Sequence, residues 1–161
     1  MPLTPIGALA RRDDLFISDD PALVDLDVVH GFLTTSYWSP GIPREIVRRA
    51  IEHSMVFGVY TDTPPRPVQI GFARVITDRA TFAYLADVFI LEPHRGRGLS
   101  KWLMETILAH PHLRGLRRIS LMTRDAQGLY TRFGFRPIPD PSRYMEIAVP
   151  NIYLRDQPPA P

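Results

Sequence analysis

The stretch Leu91-Glu92-Pro93-His94-Arg95-Gly96-Arg97-Gly98-Leu99-Ser100-Lys101-Trp102-Leu103-Met104 joins two different periodicities. Residues 84–91 are apolar and rich in β-branched and aromatic types, as a strand requires, whereas Leu99, Trp102, Leu103, Thr106, Ile107 and His110 share one helical face. A strand, a glycine turn and a helix therefore follow one another. Gly96 and Gly98 permit positive φ and close approach to backbone, and the helix start adds unpaired N–H groups and the positive end of its dipole. Together these make an anion cradle suited to phosphate.

Spacing narrows the ligand. A Walker loop needs a glycine, four residues and then Gly-Lys-Ser/Thr, for which Gly96 and Gly98 stand too close together. A dinucleotide fingerprint needs a third glycine where Lys101 stands. The segment Arg95-Gly96-Arg97-Gly98-Leu99-Ser100 instead resembles the acyl-CoA loop of the GNAT acetyltransferase superfamily, Arg/Gln-x-x-Gly-x-Gly/Ala, with Ser100 replacing the last small residue. About thirty residues later, Asp125-Ala126-Gln127-Gly128-Leu129-Tyr130-Thr131-Arg132-Phe133-Gly134-Phe135 resembles that superfamily's helix ending in Leu-Tyr-x-x-x-Gly-Phe. The linker Thr34-Thr35-Ser36-Tyr37-Trp38-Ser39-Pro40-Gly41-Ile42-Pro43 resembles a bacterial subgroup with no assigned substrate.

At 161 residues, with 45% hydrophobic residues, the chain has the size of one domain with a substantial core. We expect a single domain over residues 1–150 and a proline-rich tail over 151–161. No run of eighteen apolar residues and no basic-then-apolar leader is present, so a cytoplasmic location is expected. Zero cysteines exclude disulfides, thiolate metal sites and an acyl-cysteine intermediate, which favours direct transfer over a ping-pong route. The net charge of +2 is spread along the chain rather than gathered in a basic stripe, which argues against nucleic acid as a partner.

Residues 1–14 read as a loose arm and 15–18 as a first strand. Asp20-Pro21 marks a helix start whose buried face is Leu23, Leu26, Val29, His30 and Leu33; Pro43 opens a second helix. Residues 55–60, 68–76 and 81–91 read as an antiparallel meander. After the 99–110 helix come a strand at 118–122, a helix at 126–133 capped by Asp125, and a last strand at 144–149. The expected class is α/β (α+β), a mixed, mostly antiparallel central sheet with helices on both faces in the order β-α-α-β-β-β-α-β-α-β. The resembled superfamily has the same order.

The resemblance implies acetyl-CoA as co-substrate. Backbone amides from Arg95, Gly96, Arg97, Gly98, Leu99, Ser100 and Lys101 would hold its pyrophosphate, with charge added by the Arg97 and Lys101 side chains. Val88, Phe89 and Ile90 occupy the strand that in the superfamily splays from its neighbour and offers backbone groups to the pantetheine arm. Tyr130 matches the superfamily's general acid, since a phenol of ordinary pKa about 10 is protonated at neutral pH and can protonate a departing thiolate.

For the base, Asp87 interrupts an apolar strand and is the first choice, Glu92 the second, and an ordered water path needs neither. The five histidines have no metal-ligand spacing, so no metal is expected. Tyr37 and Trp38 are candidates to wall an amine pocket. The expected reaction is direct attack of a small-molecule or peptide amine on acetyl-CoA in a ternary complex, with no membrane partner and a homodimer compatible with the chain. The rival readings are a non-catalytic acyl-CoA-binding regulatory or interaction module and a phosphate binder with a look-alike loop.

Overall fold

A computed structural model describes residues 7–155. Six strands form one sheet in sequence order: β1 (Ala8–Arg12), β2 (Leu15–Ser18), β3 (Met55–Thr61), β4 (Val68–Thr77), β5 (Phe82–Ile90) and β6 (Arg118–Ser120). All neighbours are antiparallel except β5 and β6, which run parallel. Helices α1 (Leu26–Leu33) and α2 (Arg44–Glu52) cover one face. Their Val29, Leu33 and Val47 pack on Val56, Phe72 and Phe89. Helices α3 (Leu99–Ala109) and α4 (Gln127–Tyr130) belong to the opposite core, where Trp102, Leu103, Ile107 and Tyr130 meet Phe57, Val59, Ile70 and Leu85. The strands alternate between these two cores because side chains along a strand point to opposite faces. No helix among the described residues is long and apolar enough to cross a membrane.

Four local expectations need correction. The arm before residue 15 contains β1, an edge strand paired with β2 through a turn at Asp13, whose φ is +49°. Its Arg11 and Arg12 hide it from a hydrophobic pattern, charge being usual on an edge. Asp20-Pro21 starts only a single tight turn, Pro21–Leu23, and α1 takes its N-cap from Asp25, whose Oδ1 accepts from the amides of Asp27 and Val28 at 3.0 and 3.2 Å. Asp125 does not cap α4; Thr123 Oγ1 accepts the Ala126 amide instead, at 3.0 Å. The strand expected over 144–149 does not form, because strand propensity without a paired neighbour does not make a strand. Of the expected tail, residues 156–161 lie outside those described.

Two irregularities in β5 position the site. Its pairing with β6 covers only Phe82, Ala83 and Tyr84, opposite Arg118, Ile119 and Ser120, after which the two strands part. Further along, the β4–β5 register shifts between Phe72 and Arg74, and Asp87 takes φ +54°. This is a bulge, which bends and twists the strand that carries it.

Gly71 lies where β4 crosses the end of β5. A Cβ there would stand 2.5 Å from Ile90 Cδ1 and 3.1 Å from the Phe89 carbonyl oxygen. Gly71→Ala is expected to lower the unfolding free energy by about 1–3 kcal/mol through overpacking, as measured by urea denaturation.

Candidate active site

The loop between β5 and α3 is built as its glycines require. Gly96 has φ +77° and Gly98 φ +71°, the latter as the N-cap of α3. A Cβ added at either would meet nothing within 4 Å, so backbone conformation and open space, not packing, call for glycine there. The first bond within α3 runs from the Trp102 amide to the Gly98 carbonyl at 3.1 Å, leaving the amides of Leu99, Ser100 and Lys101 without intrahelical acceptors. The loop therefore presents a row of donors at the positive end of a helix of eleven residues. Arg97 is exposed. Lys101 Nζ lies 3.9 Å from Glu105, and Arg95 turns back to donate from Nε to the Ile90 carbonyl at 3.0 Å.

Where β5 leaves β6, a cavity of about 660 Å³ opens between the α1–α2 layer, the bulge and the loop leading to α4. Its wall includes Tyr37, Trp38, Asp87, Val88 and Tyr130, so the structure gathers five of the sequence-derived candidates around one space. Phe89 and Ile90 do not line it. Both are buried, Phe89 stacked on Phe32 with ring centroids 3.9 Å apart, and Ile90 in the opposite core. Residues 95–101 are also outside this wall, so the glycine loop lies apart from the cavity.

Tyr130 is buried, with its ring edge-on to Phe135 at 5.8 Å. Burial pushes its phenol pKa up to about 12, with smaller contributions in the same direction from Tyr37 and Asp125. The phenol is thus held protonated throughout the neutral range.

Asp87 is tied at both oxygens. Oδ1 accepts from the Trp38 indole N–H at 2.9 Å, and Oδ2 accepts from Arg74 Nε at 2.5 Å, with both side chains of the ion pair largely shielded from solvent. Arg74 also donates from Nη1 to Ser54 Oγ at 3.2 Å. Across the cavity the Arg124 guanidinium lies over the Tyr37 ring at 3.9 Å, and the Arg124 amide donates to Tyr37 Oη at 3.1 Å. Arg74 and Arg124 were not singled out from sequence. For Arg74 a signal existed: it is the sole charge in β4, as Asp87 is in β5.

Comparison with known proteins agrees with this architecture. A profile of the acetyltransferase (GNAT) domain matches residues 52–137. A Gibberella zeae protein named as an acetyltransferase is 33% identical over 139 residues, spanning 74% of this chain and 77% of its own length. The crystal structure of a protein assigned to the GNAT family from Xanthomonas campestris pv. campestris is 50% identical, with a TM-score of 0.81, covering 86% of this chain and 96% of that one. A rice protein named serotonin N-acetyltransferase 2, chloroplastic, is 34% identical over 127 residues, 74% of this chain and 62% of its own length.

The Asp87–Arg74 pair yields a stability prediction. Asp87→Asn keeps an acceptor for the indole but leaves Arg74 without its counter-charge, so the unfolding free energy should fall by about 1–3 kcal/mol. Replacing both residues by apolar ones of similar volume should recover most of that loss, because the unpaired buried charge is then gone as well. Denaturation of the single and double variants checks both statements.

Proposed function

The chain belongs to the GNAT family of acetyltransferases, and from that premise we propose that it transfers an acetyl group from acetyl-CoA directly to an amine within a ternary complex. The observation that carries this reading is the cavity at the β5–β6 split, where Tyr130, Val88 and the Tyr37–Trp38 linker share one wall. The donor's pyrophosphate rests on the amides of the 95–101 loop, and its thioester reaches the split between the strands. There the widening gap leaves β5 backbone groups around Val88 without β6 partners, and an N–H among them polarises the carbonyl.

The amine nitrogen attacks the carbonyl carbon, the C–S bond breaks, and the departing sulfur takes the Tyr130 proton. The nitrogen gives up its own proton to complete the amide. For that proton the sequence left Asp87, Glu92 and a water path open, and the geometry favours water: Glu92 is exposed in the turn after β5 and outside the cavity wall. With both carboxylate oxygens already accepting bonds, Asp87 serves to fix the Trp38 indole and the bulge. The acceptor is an amine with an apolar body, small or at the end of a peptide. Support comes from the wall, where Leu33, Ile46, Ile51 and Met122 accompany the aromatic linker. The rice relative is named for serotonin, a primary alkylamine on an indole body, which is in keeping with such a wall.

Two variants test the two halves. Gly98→Val places a β-branched residue at φ +71° beside the donor row, and should weaken acetyl-CoA binding at least about tenfold while the fold persists. Calorimetry on the folded variant decides it, and unchanged affinity overturns the cradle.

Tyr130→Phe should lower turnover by about ten- to a thousand-fold in a thiol-release assay over an amine panel, with acetyl-CoA affinity retained. Since Tyr130 is pushed up to about 12, the wild-type rate should show no alkaline loss from this group until pH approaches that value. Wild-type turnover in the phenylalanine variant overturns the acid assignment. Acetyl-CoA binding with no thiol release from any amine would instead identify a binding module.

A further inference from the structure

Four charged side chains stand in the wall of the cavity: Arg74, Asp87, Arg124 and Asp125. Two of them neutralise each other, because Asp87 accepts from Arg74 and both are largely shielded from solvent. The other two are sequence neighbours in the loop between β6 and α4, and both are exposed. Neither makes an ion pair or a side-chain hydrogen bond with any described residue, and the Arg124 guanidinium has the Tyr37 ring as its contact.

Arg124 is nonetheless held in place. Its guanidinium lies over the Tyr37 ring at 3.9 Å, its amide donates to Tyr37 Oη at 3.1 Å, and its carbonyl accepts from Gln127 Nε2 at 3.2 Å. Stacking occupies one face of the guanidinium and leaves its N–H edge, a planar fork of donors, without an acceptor. That fork matches a carboxylate, and a guanidinium positioned before the ligand arrives loses little freedom on binding it.

The second unpaired charge lies toward the reacting end. Beyond burial, the Tyr37 phenol and Asp125 each push the Tyr130 pKa further up, so both stand close to the acid. The apolar side of the same space is made by Leu33 of α1 and by Ile46 and Ile51 of α2. Opposite unpaired charges beside an apolar wall suit a ligand that carries both signs a few bonds apart and an apolar group between them.

Taking the transfer reading above as its basis, we propose that the acceptor is a free α-amino acid with an apolar side chain. Its carboxylate is taken by Arg124, its ammonium is drawn in by Asp125 before a proton leaves to water, and its side chain lies on the α1–α2 wall. A peptide N-terminus carries an amide where this ligand has its carboxylate, and a simple arylalkylamine has neither, so both are weaker acceptors.

The test compares leucine and phenylalanine with leucinamide and phenylalaninamide, which keep the amine and the side chain but lose the anionic charge. The amide amines are less basic, so without a carboxylate site they should react at least as well as the acids. In thiol release the wild type should favour each acid over its amide by at least about tenfold in kcat/KM, the effect of one charge-assisted hydrogen bond. Arg124→Met should bring that ratio close to one through the KM of the amino acid, with the acetyl-CoA KM and the melting temperature little changed. Arg124→Lys, which keeps the charge but not the fork, should restore part of the preference. Amides as good as acids in the wild type overturn the proposal, as does an unchanged ratio in Arg124→Met. A folded Arg124→Met protein whose acetyl-CoA KM rises instead assigns the guanidinium to the donor's phosphates and overturns it too. Calorimetry of leucine against the CoA-saturated chain keeps the two readings apart. Leucine binding that Arg124→Met abolishes, without thiol release from any amine, upholds the site and overturns the transfer reading. Absence of leucine binding overturns the site whether or not other amines release thiol.

Discussion

The site depends on one largely shielded ion pair between adjacent strands. Asp87 adopts a left-handed backbone at φ +54° in the middle of β5, a conformation that costs of order 1–3 kcal/mol for a residue with a side chain. Aspartate tolerates it better than most types, and here its carboxylate is caught by Arg74 from β4 and by the Trp38 indole from the linker after α1. The bulge follows from that capture: two residues of β5 must fit where β4 offers one, and the strand bends. The pairing of β5 with β6 has already ended at Tyr84, three residues before the bend. A flat, fully paired sheet would have no cleft there.

The two cores on either side of the sheet hold the bend in place. Phe89, next but one to Asp87, stacks on Phe32 of α1 with planes 8° apart, and Phe32 in turn meets Trp38 at 6.1 Å. Trp38 lies edge-on to Tyr37 at 5.0 Å, and Tyr37 carries the Arg124 guanidinium on its face. A continuous run of rings thus leads from the strand through the helix and linker to the loop before α4. It spans the cavity, tying the wall that holds Asp87 to the wall that leads to Tyr130. On the other face Ile90 and Leu99 sit in the α3 core, so the residues flanking the glycine loop are fixed while the loop itself stays open.

What the sequence disclosed follows from how local each signal is. Gly96 and Gly98 were legible because a positive φ ahead of a helix leaves few residue choices, and Tyr130 because its surrounding motif is short and contiguous. The helices were found by period, although α1 begins at Asp25 rather than Asp20: two aspartates five residues apart both look like caps, and only the extended backbone at Val24 tells them apart. Arg74 escaped because its meaning lies across a strand pair, where the bulge shifts the register and no spacing rule applies. β1 escaped because its exposed arginines erase the apolar alternation, and only pairing with β2 reveals it.

The unformed strand at 144–149 shows the same limit from the other side. Propensity there is strong, yet a strand's stability resides in its ladder and in cross-strand side-chain contacts, not in the segment alone. β1 has weak propensity and becomes a strand because β2 offers an edge just across the Asp13-Asp14 turn, so the closure of that hairpin costs little entropy. The later segment leaves β6 through α4 and the Pro141 turn, and its downstream end is committed to the α1–α2 cluster by Tyr153. Pairing is therefore decided by which edge a segment can reach from the points where it is anchored. In this chain that rule makes a strand of a segment ending in two arginines at one edge of the sheet and leaves a largely apolar sequence unpaired near the C-terminal end of the described residues.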